Sequence, residues 1–99
     1  MPYVLAFNRP AIADKMTALA RYLDLPNPSF GAVLDWVLSL RQQIGIPHRL
    51  SDIGVEERHA AEFAPEALAD PSTGGNPLPL DEAKYTELYA QAISGRLAA

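Results

Sequence analysis

The chain has 99 residues, which bounds it to one domain with a modest core. Hydrophobic residues make up 48% and charged residues 20%, an ordinary globular balance. A net charge of −4 with eight scattered Lys and Arg offers nucleic acid no basic stripe, the absence of cysteine excludes disulfides and thiolate metal sites, and no apolar run approaches the roughly 20 residues of a membrane span.

The apolar start, Met1-Pro2-Tyr3-Val4-Leu5-Ala6-Phe7, is too short for a signal peptide and lacks its basic flank, so a cytoplasmic setting is expected. Helix periodicity then recurs four times. The first segment runs from about Pro10 to Leu23, with Ile12, Met16, Leu19 and Leu23 on one face, Asn8 as N-cap and Pro10 in the first turn. Leu25-Pro26-Asn27-Pro28 breaks the chain, and Asn27 is expected to cap the second helix, with Pro28 at its first position.

That second helix, about Pro28 to Gln43, is the most apolar. Phe30, Val33, Leu34, Val37, Leu40 and Ile44 line one face, and Trp36 and Leu38 widen it. So broad a stripe predicts a central helix with neighbours on two sides and a buried Trp36. Gly45 suits the position just past the helix, and Pro47 prevents continuation. A third segment, about Glu56 to Ala69, has acidic residues in its N-terminal half and a thin face of Phe63, Ala67 and Leu68. Pro65 lies inside it, which predicts a kink or two short pieces. Asp81 caps a fourth helix that presents Tyr85, Leu88, Tyr89, Ala92 and Ile93 and ends at Gly95. Period-2 alternation is missing, so no strand is expected. The fold class is all-α, an irregular bundle of about four main helices spanning 1–99 as a single domain.

Candidate chemistry is sparse. A metal site wants three or four ligands, often two on one helical turn. His48 and His59 are the two histidines, no HxxxH pattern joins them, and both read as solvated or structural. Adjacent carboxylates at Glu56-Glu57 and Asp81-Glu82 do not face each other on a helix and are explained by helix termini. Ser72 and Thr73 lack a base at motif spacing and a GxSxG elbow. Gly74-Gly75 is not a GxGxxG fingerprint between a strand and a helix; it reads as a tight turn needing positive φ. Neither a catalytic residue nor a metal- or cofactor-binding residue is assigned.

Three stretches, however, occur in a telling order: Leu5-Ala6-Phe7-Asn8, then Ile44 to Val55, then Ser72-Thr73-Gly74-Gly75-Asn76-Pro77. Over essentially the whole chain they resemble the end of the helical domain of iron-containing (group III) alcohol dehydrogenases, whose fold is the dehydroquinate synthase-like one. Maleylacetate reductases share that architecture. Met1 to Asn8 resembles the close of the family's HGxxNAxxLPxVxxFN pattern. Gly45-Ile46-Pro47 with Leu50 and Gly54-Val55 resembles its GIPxxLxxxGV connector, and Asp70 to Pro77 its DxxTxxNPRP loop, with Leu78 where the family usually has Arg.

The resemblance implies a hydride transfer between NAD(P) and an alcohol or carbonyl, assisted by Fe²⁺ or Zn²⁺ held by one Asp and three His. All of those ligands, and the nucleotide-binding half, would precede Met1. It implies that Ser72 and Thr73 line the substrate side, while Gly45, Pro47, Gly74, Gly75, Asn76 and Pro77 shape structural loops. The chain alone is then expected to be inactive. With its upstream partners missing, Tyr3, Val4, Leu5 and Phe7 are expected to be left without some of their covers, favouring a homodimer or larger. The competing reading is a non-catalytic helical interaction module.

Overall fold

The computed structural model describes residues 1–98 as five α-helices and two 3₁₀ turns, with no strand among the described residues. They fall into two helical units, Met1–Ile46 and the chain from Pro47 onward.

In the first unit, α1 (Pro2–Phe7) and α2 (Arg9–Tyr22) both pack on α3 (Phe30–Gln43). The predicted central helix with two neighbours is therefore present. Helix begins earlier than the periodicity suggested, because α1 is a separate six-residue helix. Pro10 has no N–H with which to continue the ladder of α1, and the chain turns at Asn8. Asn8 occupies the N-cap position of α2, but its backbone is helical and its side chain makes no capping bond.

Alpha-2 closes with a left-handed Asp24 (φ 54), whose N–H donates to the Arg21 carbonyl while Leu25 N–H donates to that of Ala20. This doubled closure satisfies the orphan carbonyls of the last turn. Gly45 (φ 78) ends α3 in the same way, with Gly45 and Ile46 donating to Gln42 and Arg41. The cap that opens α3 is Ser29 rather than Asn27. Ser29 has the extended backbone a cap requires, and its Oγ accepts from Ala32 N–H at 3.1 Å, whereas Asn27 is left-handed (φ 51) in the preceding turn.

The core of this unit is small: Ala20, Val33 and Val37, with Leu5, Met16, Leu25 and Ala32 packed around them. Phe30 is also buried, and the Arg9 guanidinium lies 5.1 Å from its ring centroid. Two expectations fail here. Trp36 is 45% exposed, because α1 and α2 cover the Phe30–Val33–Val37 arc and leave the flanking row of Trp36, Leu40 and Ile44 outside. The apolar start is largely covered by its own unit. Pro2, Tyr3 and Ala6 are buried, and of the four residues expected to lose their covers Val4 alone is exposed.

In the second unit, α4 (His59–Ala69) and α5 (Glu82–Ser94) pack on each other, and a 3₁₀ turn, Leu50–Ile53, packs on α5. Ala60, Ala64, Leu88 and Ile93 are buried, and the Phe63 ring meets Tyr89 edge-on with centroids 5.8 Å apart. Pro65 does not divide α4, which is one continuous helix. Pro65 and Ala61 both lie exposed, so the carbonyl deprived of its partner faces water rather than the core. Asp81 caps α5 through Oδ1, which accepts from Lys84 N–H at 2.8 Å, and a left-handed Gly95 closes it, both as predicted.

Candidate functional site

The second 3₁₀ turn, Pro71–Gly75, joins α4 to the segment leading into α5 and carries Ser72 and Thr73. Its geometry starts from Asp70, extended at φ −66, ψ 132, with Pro71 setting the first turn position. Asp70 Oδ1 accepts from Ser72 N–H at 2.7 Å. That backbone bond, followed by one from the Ser72 hydroxyl, favours the carboxylate form and holds the Asp70 carboxyl below its usual range.

Thr73 is the anchor of the turn. Its hydroxyl donates to the Ala67 carbonyl at 2.7 Å and lies 2.7 Å from Tyr85 Oη. Asn76 N–H donates to the Thr73 carbonyl, and Asn76 Nδ2 donates to the Leu78 carbonyl at 2.8 Å, fixing the exit of the turn.

Ser72 to Pro77 thus stand together in this turn and its exit, within the second unit. Ser72, Gly74, Gly75 and Pro77 are exposed, and Thr73 and Asn76 are half-buried. Gly74 and Gly75 do not take a left-handed backbone, contrary to the tight-turn expectation, because the chain passes through them as 3₁₀ helix. Gly45 and Pro47 belong to the connector after α3 instead. Gly45 has the positive φ expected of it, and Pro47 precedes the Leu50–Ile53 turn, which Arg49 braces by donating to both Asp52 carboxylate oxygens. Tyr85, read from sequence as part of a packing face, proves to be a member of this turn's hydrogen bonding. At 12 positions from Thr73 it has no local signature.

The described residues do not fit a catalytic metal. No group of three or more His, Asp or Glu side chains converges among them. Nε2 of His48 donates to the Gly95 carbonyl at 2.8 Å, and Nδ1 of His59 accepts from Glu56 N–H at 2.8 Å while its ring stacks on Phe63 at 5.2 Å. One nitrogen of each ring is therefore committed to the backbone. The open grooves include one of about 510 Å³ beside Asn27, Asp35 and Trp36 and another of about 600 Å³ beside Glu56, Ile93 and Arg96. Neither is lined by Ser72 or Thr73. No helix among the described residues is long and apolar enough to cross a membrane.

Comparison with known proteins supplies a context for this turn. The model of the Fe-containing alcohol dehydrogenase family, C-terminal part, matches residues 1–93. Lactaldehyde reductase of Escherichia coli (strain K12) is 30% identical over 98 residues, covering 93% of this chain and 26% of that protein. The probable alcohol dehydrogenase EutG of the same organism is 28% identical over 92 residues, covering 93% and 23%. The 1,3-propanediol dehydrogenase of Citrobacter freundii is 26% identical over 99 residues, covering 94% and 26%. The chain spans about a quarter of the length of these curated relatives.

Proposed function

Since the chain belongs to the Fe-containing alcohol dehydrogenase family, we propose that it serves as the C-terminal helical scaffold of an NAD(P)-dependent, metal-assisted alcohol dehydrogenase and contributes part of the wall of the substrate pocket. The match over residues 1–93 carries this reading. In it, the nucleotide and the Fe²⁺ or Zn²⁺ are held by the rest of the enzyme, where the metal supplies polarisation of the substrate oxygen. The named relatives favour a small alcohol or aldehyde over maleylacetate as the substrate class.

The contribution of this chain is positional. Ser72 and Thr73 sit on a turn whose backbone is fixed by Asp70 and Asn76, so their side chains are held without the entropy cost of a loose loop. Exposed Ser72 offers a small polar surface, and Thr73 holds the turn against α4. The test is calorimetric titration of the isolated chain with NADH, NADPH and Zn²⁺, followed by addition of the family's upstream half in trans. The expected result is no stoichiometric micromolar site in the chain alone and metal-dependent oxidation of NAD(P)H once the halves are mixed. A tight site in the isolated chain, or halves that associate without turnover, would count against the proposal.

A second reading, self-association, is favoured by one observation. Trp36, Leu40 and Ile44 form a row along α3 with 45%, 38% and 63% of their surface exposed. Burying such a row is favourable at about 25 cal/mol per Å², and a symmetric homodimer would do so. Light scattering at high micromolar concentration should return a dimer or larger. A monomer near 10.7 kDa would rule this out.

A further inference from the structure

We propose that Tyr85 is a positioning residue of the substrate pocket, setting Ser72 through Thr73. The proposal rests on the reading of Ser72 and Thr73 as pocket wall.

The direction of each hydrogen bond is fixed by chemistry. The Ala67 carbonyl only accepts, so the single hydroxyl proton of Thr73 is committed to it at 2.7 Å. The 2.7 Å contact between Thr73 Oγ1 and Tyr85 Oη must then be donated by the tyrosine. The result is a directed relay from α5 through the turn to the last turn of α4, with both links at the short end for O–H···O bonds. Such bonds polarise one another, so the threonine that donates to Ala67 is a better acceptor for Tyr85.

Several other bonds shape the turn, made within it, at the end of α4 or, through Asn76 Nδ2, to the Leu78 carbonyl. Ser72 N–H donates to Asp70 Oδ1, Thr73 N–H to the Asp70 carbonyl, Asn76 N–H to the Thr73 carbonyl and Asp70 N–H to that of Ala67. These set the shape of the turn, and the Tyr85 hydroxyl sets its place against α5. Removing that hydroxyl leaves the Thr73–Ala67 bond and the turn itself intact, but frees the turn to shift. Ser72, exposed between the two anchored residues, shifts with it.

The test uses Tyr85→Phe, with Tyr89→Phe, one helical turn further along α5, as the control. In the chain itself, Tyr85→Phe should speed amide exchange at Ser72 and Gly74 by about two- to tenfold, the factor one neutral hydrogen bond carries, with the melting midpoint lowered by only a few degrees. Thr73→Val should reproduce the faster exchange, and Tyr89→Phe should not. With the upstream half supplied in trans, Tyr85→Phe should raise KM for the alcohol by about the same factor while leaving kcat and the KM for NAD(P)H in place. The exchange readout needs no turnover. Exchange unchanged in Tyr85→Phe would overturn the relay. Faster exchange with an unchanged alcohol KM would overturn the positioning role and would locate the failure in the pocket-wall reading, since the relay itself would then stand.

Discussion

His48 and Gly95 are held together from both sides: His48 Nε2 donates to the Gly95 carbonyl at 2.8 Å, and the His48 ring and Arg49 stem occupy the space a Cβ on Gly95 would need. Gly95 is also left-handed, at φ 79. Gly95→Ala therefore meets two penalties, the left-handed strain of about 1–2 kcal/mol and the displacement of Arg49 and His48. A loss of about 2 kcal/mol is expected, read as a fall of roughly 10 °C in the melting midpoint. Gly74→Ala is the comparison: nothing beyond its own turn of chain lies within 4 Å of where a Cβ would stand and its φ is not positive, so the midpoint should hold or rise slightly. Equal effects at the two sites would contradict the geometry.

Trp36→Ala should cost about 1–2 kcal/mol, below the 3–5 of a fully buried aromatic, because 45% of the side chain's residue surface is exposed. Chemical denaturation of the two proteins measures it, and the tryptophan emission of the parent should be that of a water-contacting indole. A blue-shifted emission with a cost above 3 kcal/mol would place Trp36 in the core after all.

Acid should loosen the candidate turn. The Ser72 amide, then the Ser72 hydroxyl, lower the folded-state pKa of Asp70. A carboxylate depressed in the folded state stabilises the fold above its ordinary value of about 3.9, and that contribution is lost as pH falls through the depressed value. NMR titration should show Asp70 and the Ser72 amide moving together, with a midpoint below the ordinary value. A midpoint at or above it, or a Ser72 amide that ignores the titration, would show that the cap is not formed in solution.

Pro65 interrupts the hydrogen-bond ladder of a continuous helix, and both Pro65 and Ala61 are exposed. Pro65→Ala should restore the missing bond without a clash and stabilise α4. Part of the roughly 3 kcal/mol interior penalty should be recovered, offset by the greater freedom of the unfolded chain. Thermal melting should show a higher midpoint. A lower one would mean that the proline ring makes packing contacts that outweigh the ladder.

The stops and starts of helices were legible where one residue type performs one local task. Gly45 and Gly95 take positive φ, and Asp81 caps through its own carboxylate, as their identities suggest. Competition between neighbours was not legible. Asn27 and Ser29 both suit a cap, and only the backbone, left-handed at one and extended at the other, decides between them. The exposure of Trp36 is not legible either, because a periodic pattern shows which residues share a face but not how wide a partner covers it. Family likeness points to the candidate turn but not to its mechanical logic. Thr73 and Tyr85 are 12 positions apart and meet only because α4 and α5 pack together.

The most direct measurement replaces the matched quarter of Escherichia coli lactaldehyde reductase with this chain and assays metal-dependent NAD(P)H oxidation. If these helices serve as the C-terminal scaffold and pocket wall of the family, the chimera should fold cooperatively and turn over an aldehyde, and a chelator should abolish that activity. A chimera that melts cooperatively, binds nucleotide and metal, and yet shows no turnover with any small aldehyde or alcohol would contradict the proposed role.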